Sequence, residues 1–431
     1  MSRELQAATL AIQEMTALGA EESSARAMTS KKSELNAEGG KFTLLRTTLD
    51  HSLSLTALKG QKRGTVGSNS FEEEAVAAAA KDCVSSAEAG QADPAWEFAR
   101  EGQKEVTRGD IEPDLDKLFF RTQELIETIH REYPKVILEQ VIADHTMETG
   151  VYLNSHGVKY VTTAGRYGVS LMFSGHEGGK SSSFNGGGFV TDSLDKPFLD
   201  QASLRQNVKD AENQIHTVPV KGKFEGTVIF TPDCLGGMLG ELISNFASDS
   251  VLLDGTSKWK DALNTRVADE RITIRVAPHD ARIVSGQTYT GEGFEAFDYT
   301  MIEKGVLKQF MLSAYAANKT GNRRAPNGSF ALVMEPGETA LEDLIKNTKK
   351  GLLVSRYSGG ASGASGEFSG VAKNSFLIED GKVGSAVSET MIAGNLADML
   401  SRVEGISKET VEDGAMSLPW LAVGGITISG Q

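Results

Sequence analysis

The chain has 431 residues, of which 39% are hydrophobic and 24% charged, and its formal net charge is −14. This length predicts two or three domains at roughly 100–200 residues per domain, and the acidic balance disfavours nucleic-acid binding because it repels phosphate groups. No run of about 18 apolar residues occurs, which excludes a membrane-spanning helix. Two lone cysteines and an N-terminus without the apolar region of a secretory signal predict a cytoplasmic protein.

Helical and extended patterns alternate in the first half of the sequence. Apolar residues recur at helical spacing over residues 2–18 and 113–131, and Ser70 with Glu73 forms a capping box that opens a further helix. Strands are predicted at residues 45–49, 53–55, 135–142, 151–160 and within 165–190, with turns at 50–51, 59–60 and 154–157.

A polar helical stretch over residues 193–214 is interpreted as a connector. We therefore expect an N-terminal domain of residues 1–214 and a C-terminal domain of residues 215–431. The second domain opens with a strand at 226–231 and an apolar helix at 235–246, and many short strands follow.

Two hairpins are predicted in the second half from their turn residues, Lys304-Gly305 and Asp380-Gly381. An Asp-Gly pair between alternating apolar runs is a strong signal for a two-residue turn. Short helices fit residues 338–349 and 394–403. The glycine- and serine-rich residues 358–370 predict a mobile loop.

The motifs that most often carry chemistry are absent or incomplete. Residues 175–181 resemble a phosphate-binding loop, but Ser174 stands where the first glycine is required, so a surface loop is expected. No two of the seven histidines lie three or four residues apart, and each is expected to be exposed or hydrogen-bonded. Cys83 is expected to be a small buried residue in a helix. Cys234 precedes a helix that could lower its thiol pKa, although a reactive role is disfavoured.

Several short stretches, in the right order along the chain, together resemble the TldD/PmbA family, the so-called modulators of DNA gyrase, whose members are regarded as peptidases. The stretches are residues 235–244, 251–254, 272–274, 278–279, 291–293, 302–307, 313–317, 320–322, 366–370, 376–382 and 387–396, with 154–157 in the first half. The resemblance implies an α+β fold in which an N-terminal mixed domain precedes a β-rich C-terminal domain with a few helices. It also implies a dimer.

Metal-binding members of this family carry His-Glu-x-x-x-His on the helix that opens the second domain, and a cysteine near the C-terminus. At the matching place this chain has Gly240, Glu241 and Asn245, and no cysteine follows Cys234. One carboxylate falls short of the three protein ligands that a catalytic zinc ion usually has. We therefore expect no metal and no other cofactor. Glu241 remains as a candidate for a vestigial catalytic role, with a structural role favoured.

This pattern resembles the PmbA (TldE) subgroup, which implies a partner role. The chain is expected to be a peptidase-type scaffold, inactive alone, that acts on peptides or small unfolded proteins with a metal-bearing TldD-like subunit. A homodimeric peptide-binding or regulatory protein without hydrolytic activity is the alternative. Direct contact with DNA is disfavoured by the net charge of −14, although contact with a basic protein surface is not.

Overall fold

The computed structural model describes residues 1–430 and contains helices and two large sheets. The helices are α1 (Arg3–Ala17), α2 (Glu73–Ala89), α3 (Leu115–Glu132), α4 (Leu204–Asn213), α5 (Pro232–Phe246), α6 (Asp249–Leu253), α7 (Ala314–Thr320), α8 (Leu341–Asn347) and α9 (Leu396–Met399). Within these residues no helix has both the length and the apolar character needed to cross a membrane. The predicted α+β class is confirmed, with a β-rich second half.

The first sheet is built mainly from long antiparallel strands. Its members are β1 (Glu22–Glu38), β2 (Lys41–Lys59), β3 (Lys62–Ser68), β4 (Gln103–Arg108), β5 (Val136–Asn154), β6 (Lys159–Glu177), β7 (Lys180–Ser181) and β8 (Asn185–Thr191). The order is β3-β2-β1-β5-β6-β4, and β7 and β8 also pair with β6. The one parallel pair in this sheet joins β4 to β6.

One face of the first sheet is covered by helices and the other is polar. Ala25 and Ala27 of β1 lie in a buried cluster with α1 and α2, and Leu35 of the same strand packs in a cluster with α3 and α4. Because successive strand residues point to opposite faces, the even-numbered Ser24 and Arg26 lie on the opposite side. There they line a polar cavity described below.

The second sheet partly closes on itself. Its strands are β9 (Thr217–Pro219), β10 (Lys223–Phe230), β11 (Ile274–Val276), β12 (Tyr299–Glu303), β13 (Val306–Leu307), β14 (Leu332–Met334), β15 (Lys350–Gly359), β16 (Glu367–Glu379), β17 (Lys382–Ser388), β18 (Met391–Asn395), β19 (Val403–Glu412) and β20 (Ser417–Ser429). The main path runs β13-β12-β11-β14-β20-β10-β15-β16-β17-β9. Strand β18 pairs with both β16 and β20, so β20, β10, β15, β16 and β18 form a ring of strands.

Helix α5 packs against this ring through a continuous apolar stripe. The stripe consists of Leu235, Met238, Leu239, Leu242, Ile243 and Phe246, all buried at helical spacing. Burying a side chain of this size contributes about 1.5–3 kcal/mol to stability. The orientation of α5 is therefore fixed, and with it the direction of the remaining polar side chains on this helix.

The two sheets share no strand, and the segment from β3 to β4 joins them through side chains. The Trp96 ring stacks on Tyr315 with centroids 3.8 Å apart. Asp93 accepts from the Tyr315 hydroxyl at 3.0 Å and pairs with Lys319 at 3.0 Å. The first sheet ends before residue 192 and the second begins at 217. On this ground we propose the boundary between residues 214 and 215 as the domain division.

Several strand predictions were wrong in length. The expected turn at residues 50–51 lies inside β2, which runs unbroken through 19 residues because it pairs with β1 along its length. Strand β1 itself was not predicted. The expected mobile loop at 358–370 is shorter, since its ends belong to β15 and β16.

The hairpin turns were predicted well, because turn chemistry is local. Lys304 and Asp380 have φ values of 46° and 47°, and the glycines that follow have 78° and 74°. Two successive positive φ values are what a type I′ hairpin turn requires. The helix expected from the Ser70 capping box begins slightly later, at Glu73, and the Ser70 hydroxyl accepts from the Glu72 amide instead.

The turn at Gly305 offers a test of the fold. A Cβ atom there would lie 2.3 Å from the Ala268 carbonyl oxygen, in addition to the strain of its positive φ. Gly305→Ala is expected to lower the free energy of unfolding by about 1–3 kcal/mol and to lower the melting temperature. Gly237→Ala is the control, because this helical glycine has open space beside it and should gain about 0.5–1 kcal/mol. Equal melting temperatures for the two variants would contradict this geometry.

Candidate functional site

Helix α5 carries the three positions that the sequence analysis singled out. Gly240, Glu241 and Asn245 lie on the half-buried edge of the helix beside the apolar stripe. Glu241 and Asn245 are four residues apart, so their side chains lie one turn apart on the same face. A Cβ atom at Gly240 would meet no atom within 4 Å.

Both side chains at this edge bind the same residue of the glycine-rich loop. The Glu241 carboxylate accepts a hydrogen bond from the backbone amide of Ser362. The Asn245 side-chain amide donates to the Ser362 hydroxyl at 2.6 Å. Ser362 is buried, with 5% of its surface exposed, whereas its neighbours on the loop are exposed. We call these three residues the Ser362 clamp.

The C-terminal end of the loop is fixed as well. Gly366 has a φ of 74°, and a Cβ atom there would lie 2.5 Å from the Phe246 ring. The Leu396 amide donates to the Gly366 carbonyl at 2.7 Å, and the Asn395 side chain donates to the Ser365 carbonyl at 2.8 Å. The part of the loop between β15 and β16 is therefore held at two points.

The residues at the matching positions do not fit a catalytic metal ion. Gly240 has no side chain, the Asn245 amide group is hydrogen-bonded to Ser362, and Glu241 supplies the only carboxylate of the three. A catalytic zinc ion usually takes three protein ligands and keeps a further position open for water. Across residues 1–430 no group of three or more His, Cys, Asp or Glu side chains is arranged to hold a metal ion.

The histidines are spread through the structure. Six of them make hydrogen bonds, as expected: His51 with Thr29, His145 with the Asp110 carbonyl, His156 with Arg100, His176 with Ser174, His216 with Glu177 and His279 with the Gln287 carbonyl. Residues 175–181, the segment similar to a phosphate-binding loop, include the end of β6 and a tight turn into β7.

The two cysteines are buried and poorly suited to be nucleophiles. Burial raises the pKa of the Cys83 thiol to about 11 and that of Cys234 to about 12. The pKa of Cys234 is therefore not lowered at the start of α5, because burial disfavours the charged thiolate. Cys83 has the buried helical role that the sequence predicted.

The sequence did not reveal two cavities. One, of about 380 Å³, lies between the polar face of the first sheet and residues 285–291. The other, of about 860 Å³, lies between α4 and the second sheet and is lined by apolar side chains such as Trp420 and Phe376 together with Asp210. The alternation of polar Ser24 and Arg26 with alanines was a signal for the first cavity, but the strand that it marks was not recognised.

Comparison with known proteins supports the resemblance. A family model described as the PmbA/TldA metallopeptidase C-terminal domain matches residues 222–430. A metalloprotease of Methanocaldococcus jannaschii is 28% identical over 44% of this chain and 44% of its own length. Metalloprotease PmbA of Escherichia coli O157:H7 is 24% identical over 87% of this chain and 86% of its own.

The fold is also that of a solved relative. The crystal structure of TldE from Thermococcus kodakarensis superimposes with a TM-score of 0.85 at 23% identity, covering 97% of this chain and 99% of that one. The family match assigns residues 222–430 to a metallopeptidase-type C-terminal domain, and the solved structure shares the fold of the chain. The chain carries a domain of the PmbA/TldD family, and the family predicted from the sequence is confirmed.

The Ser362 clamp can be tested by hydrogen exchange. Glu241→Ala removes the acceptor of the Ser362 amide, and Asn245→Ala removes the donor to its hydroxyl. Each loss is expected to cost about 1–2 kcal/mol locally, so the amides of residues 361–366 should exchange roughly tenfold faster or more. Ser244→Ala is the control, because its hydroxyl bonds only to the Gly240 carbonyl of its own helix. Unchanged exchange in the loop of both variants would contradict the clamp.

Asp210 gives a second prediction, on the pH dependence of stability. Burial raises its pKa to about 6, compared with about 3.9 in an unfolded chain. The folded protein thus binds this proton more tightly than the unfolded chain does. The resulting contribution of Asp210 to the free energy of unfolding is fully present below about pH 4 and is lost as the pH rises through 6. Asp210→Asn should therefore raise the free energy of unfolding at pH 8 by about 3 kcal/mol relative to the wild type.

At pH 3.5 the same substitution should give no such gain, because Asp210 is protonated in both folded and unfolded chains. Asp254→Asn, at an exposed position on the second half, serves as the control and should show no comparable pH-dependent gain. Denaturant unfolding at a series of pH values measures the difference. A difference between wild type and Asp210→Asn that does not change with pH would overturn this assignment.

Proposed function

We propose that this chain is the non-metal subunit of a TldD/PmbA-type peptidase and acts on peptides or small unfolded proteins together with a metal-bearing, related subunit. The observation that carries the proposal is the Ser362 clamp. Where a metal-binding relative would hold its ion, two side chains of this chain bind its own loop instead. On this proposal Glu241 is a structural residue and not a catalytic one.

A surface for a partner subunit is available on the first sheet. The apolar patch consists of Phe42, Leu45 and Leu49 of β2 with Phe119 and Phe120 of α3. Phe42 stacks on Phe119 with ring centroids 4.6 Å apart, and Leu45, Leu49 and Phe120 are between 60% and 68% exposed. The rings of Phe42, Phe119 and Phe120 are in contact with one another, and exposed apolar surface that is contiguous commonly marks a protein interface.

The apolar patch supports the formation of a dimer, but it does not identify the partner subunit. A second copy of this chain could use it equally well, and the result would be the homodimeric peptide-binding or regulatory protein that is the alternative function. The net charge of −14 argues against DNA as a partner. Two unpaired thiols support a reducing, cytoplasmic location.

Co-expression with a metal-bearing TldD-like protein tests the proposal. The expected result is a mixed complex that binds zinc at one site per pair and cleaves unfolded peptides, while this chain alone binds no stoichiometric zinc and cleaves nothing. Leu45→Asp with Phe120→Asp should abolish the complex in size-exclusion chromatography with light scattering, because burying unpaired carboxylates at an interface is costly. Phe297→Asp is the control, at an aromatic side chain 56% exposed in the second half.

Stoichiometric zinc and peptidase activity in the chain alone would overturn the proposal. A stable homodimer that binds peptides and ignores the metal-bearing protein would favour the alternative. In the mixed complex, Glu241→Gln should leave the rate of peptide cleavage within about twofold, since a residue acting only through Ser362 does not touch the reacting atoms. A loss of two or more orders of magnitude would assign Glu241 a catalytic role.

A further inference from the structure

The cavity of about 380 Å³ between the two halves of the chain is lined mainly by polar and positively charged side chains. One wall is the polar face of the first sheet, with side chains from five strands of that sheet, and the other wall is residues 285–291. Its charged side chains are Arg26, Arg108, Arg166 and Glu148. Three guanidinium groups thus face one carboxylate, in a protein whose net charge is −14.

Two of these arginines have no counter-charge. Arg166 pairs with Glu148 at 2.8 Å across the β5–β6 ladder. Within residues 1–430, neither Arg26 nor Arg108 forms an ion pair with a carboxylate. Arg26 is exposed and Arg108 is half-buried. A guanidinium group without a carboxylate partner is free to make a charge-assisted hydrogen bond to an anion that enters the cavity.

Residues 285–291 lie against both arginines, and the Thr288 hydroxyl accepts a long hydrogen bond of 3.5 Å from Arg108. A Cβ atom on Gly286 would lie 1.6 Å from an Nη atom of Arg108, and the Gly286 φ is 42°. A Cβ atom at this position would therefore displace the Arg108 guanidinium, and the positive φ also favours glycine. The Arg26 guanidinium lies 5.9 Å from the centroid of the Tyr289 ring. Preorganised side chains lose less entropy on binding a ligand than mobile ones do.

Neutral hydrogen-bond donors complete the lining. The hydroxyl-bearing side chains include Ser24, Ser54, Thr56, Thr162, Thr163 and Thr288. A guanidinium presents a planar fork of N–H groups that matches the two oxygens of a carboxylate, and hydroxyls can donate to the same oxygens. The chemistry of the cavity is therefore that of a site for a small oxyanion.

We propose that the Arg26–Arg108 cavity binds a carboxylate group of a peptide. The peptide as the source of the carboxylate rests on the proposed function. The oxyanion chemistry rests on the cavity alone. The carboxylate is either the C-terminus of the peptide or the side chain of an Asp or Glu within it, and both would be bound by the same guanidinium groups.

Isothermal titration calorimetry on the full-length chain tests the proposal with three peptides of equal length. They are tetra-alanine with a free C-terminus, the same peptide amidated, and an amidated peptide with one aspartate. At least one carboxylate-bearing peptide should bind roughly tenfold or more tightly than the amidated tetra-alanine. Which one binds identifies the C-terminus or the side chain as the source. Inorganic phosphate is the fourth ligand.

Arg108→Gln and Arg26→Gln should each weaken binding of the preferred peptide roughly tenfold. Arg108→Lys keeps the charge but not the fork and should recover only part of the affinity. Gly286→Ala, which displaces the Arg108 guanidinium, should also weaken binding. Arg131→Gln is the control, at an arginine 66% exposed on α3. Melting curves establish that each variant is folded before it is titrated.

Equal binding of all three peptides, or affinity that survives both glutamine substitutions, would overturn the proposal. Binding of phosphate with no preference among the peptides would replace it with a simple anion site and overturn the peptide assignment. The measurement needs no metal-bearing partner. If the mixed complex does not form, the peptide titrations can still be interpreted. If the peptides do not bind, the test of the mixed complex is unaffected.

Discussion

The burial of α5 against the ring of strands is the constraint on which the second half depends. Six apolar side chains of the helix face the strands, so only one narrow edge of the helix can carry polar groups. That edge holds Glu241 and Asn245, and the loop between β15 and β16 is the nearest structure that satisfies them. The polar edge of α5 thus fixes the position of a loop in this chain.

Helices and turns that are determined by neighbouring residues were predictable from the sequence. Strands that are determined by pairing with distant segments were not. Helices α1 and α3 follow from apolar periodicity, and the turn at Asp380-Gly381 follows from its residues. Strand β1 lacks a run of β-branched and aromatic residues, and it is extended because it pairs with β2 on one side and β5 on the other. Its pairing partner β5 begins nearly 100 residues later, which no local pattern records.

The candidate site divides in the same way. The sequence located Gly240, Glu241 and Asn245, because a motif with fixed spacing lies within one helix. It could not identify Ser362 as the residue they bind, since 117 positions separate it from Asn245. Arg26 on β1 and Arg108 on β4 line the same cavity although β5 and β6 lie between their strands. The parallel pairing of β4 with β6, which places Arg108 at this face, joins residues more than 50 positions apart in the sequence. Residues that share a cavity only through topology are invisible to pattern reading.

The position of the arginine cavity has a consequence for motion. Its walls come from different halves of the chain, Arg26 and Arg108 from the first sheet and Gly286 to Gly291 from the second half. A ligand that contacts both walls binds best when the halves are closed against each other, so its binding energy opposes their separation. A ligand in the cavity would then also favour the stacking of Trp96 on Tyr315, because these two rings join the same two halves. A bound anion would thus oppose the separation of two halves whose sheets share no strand.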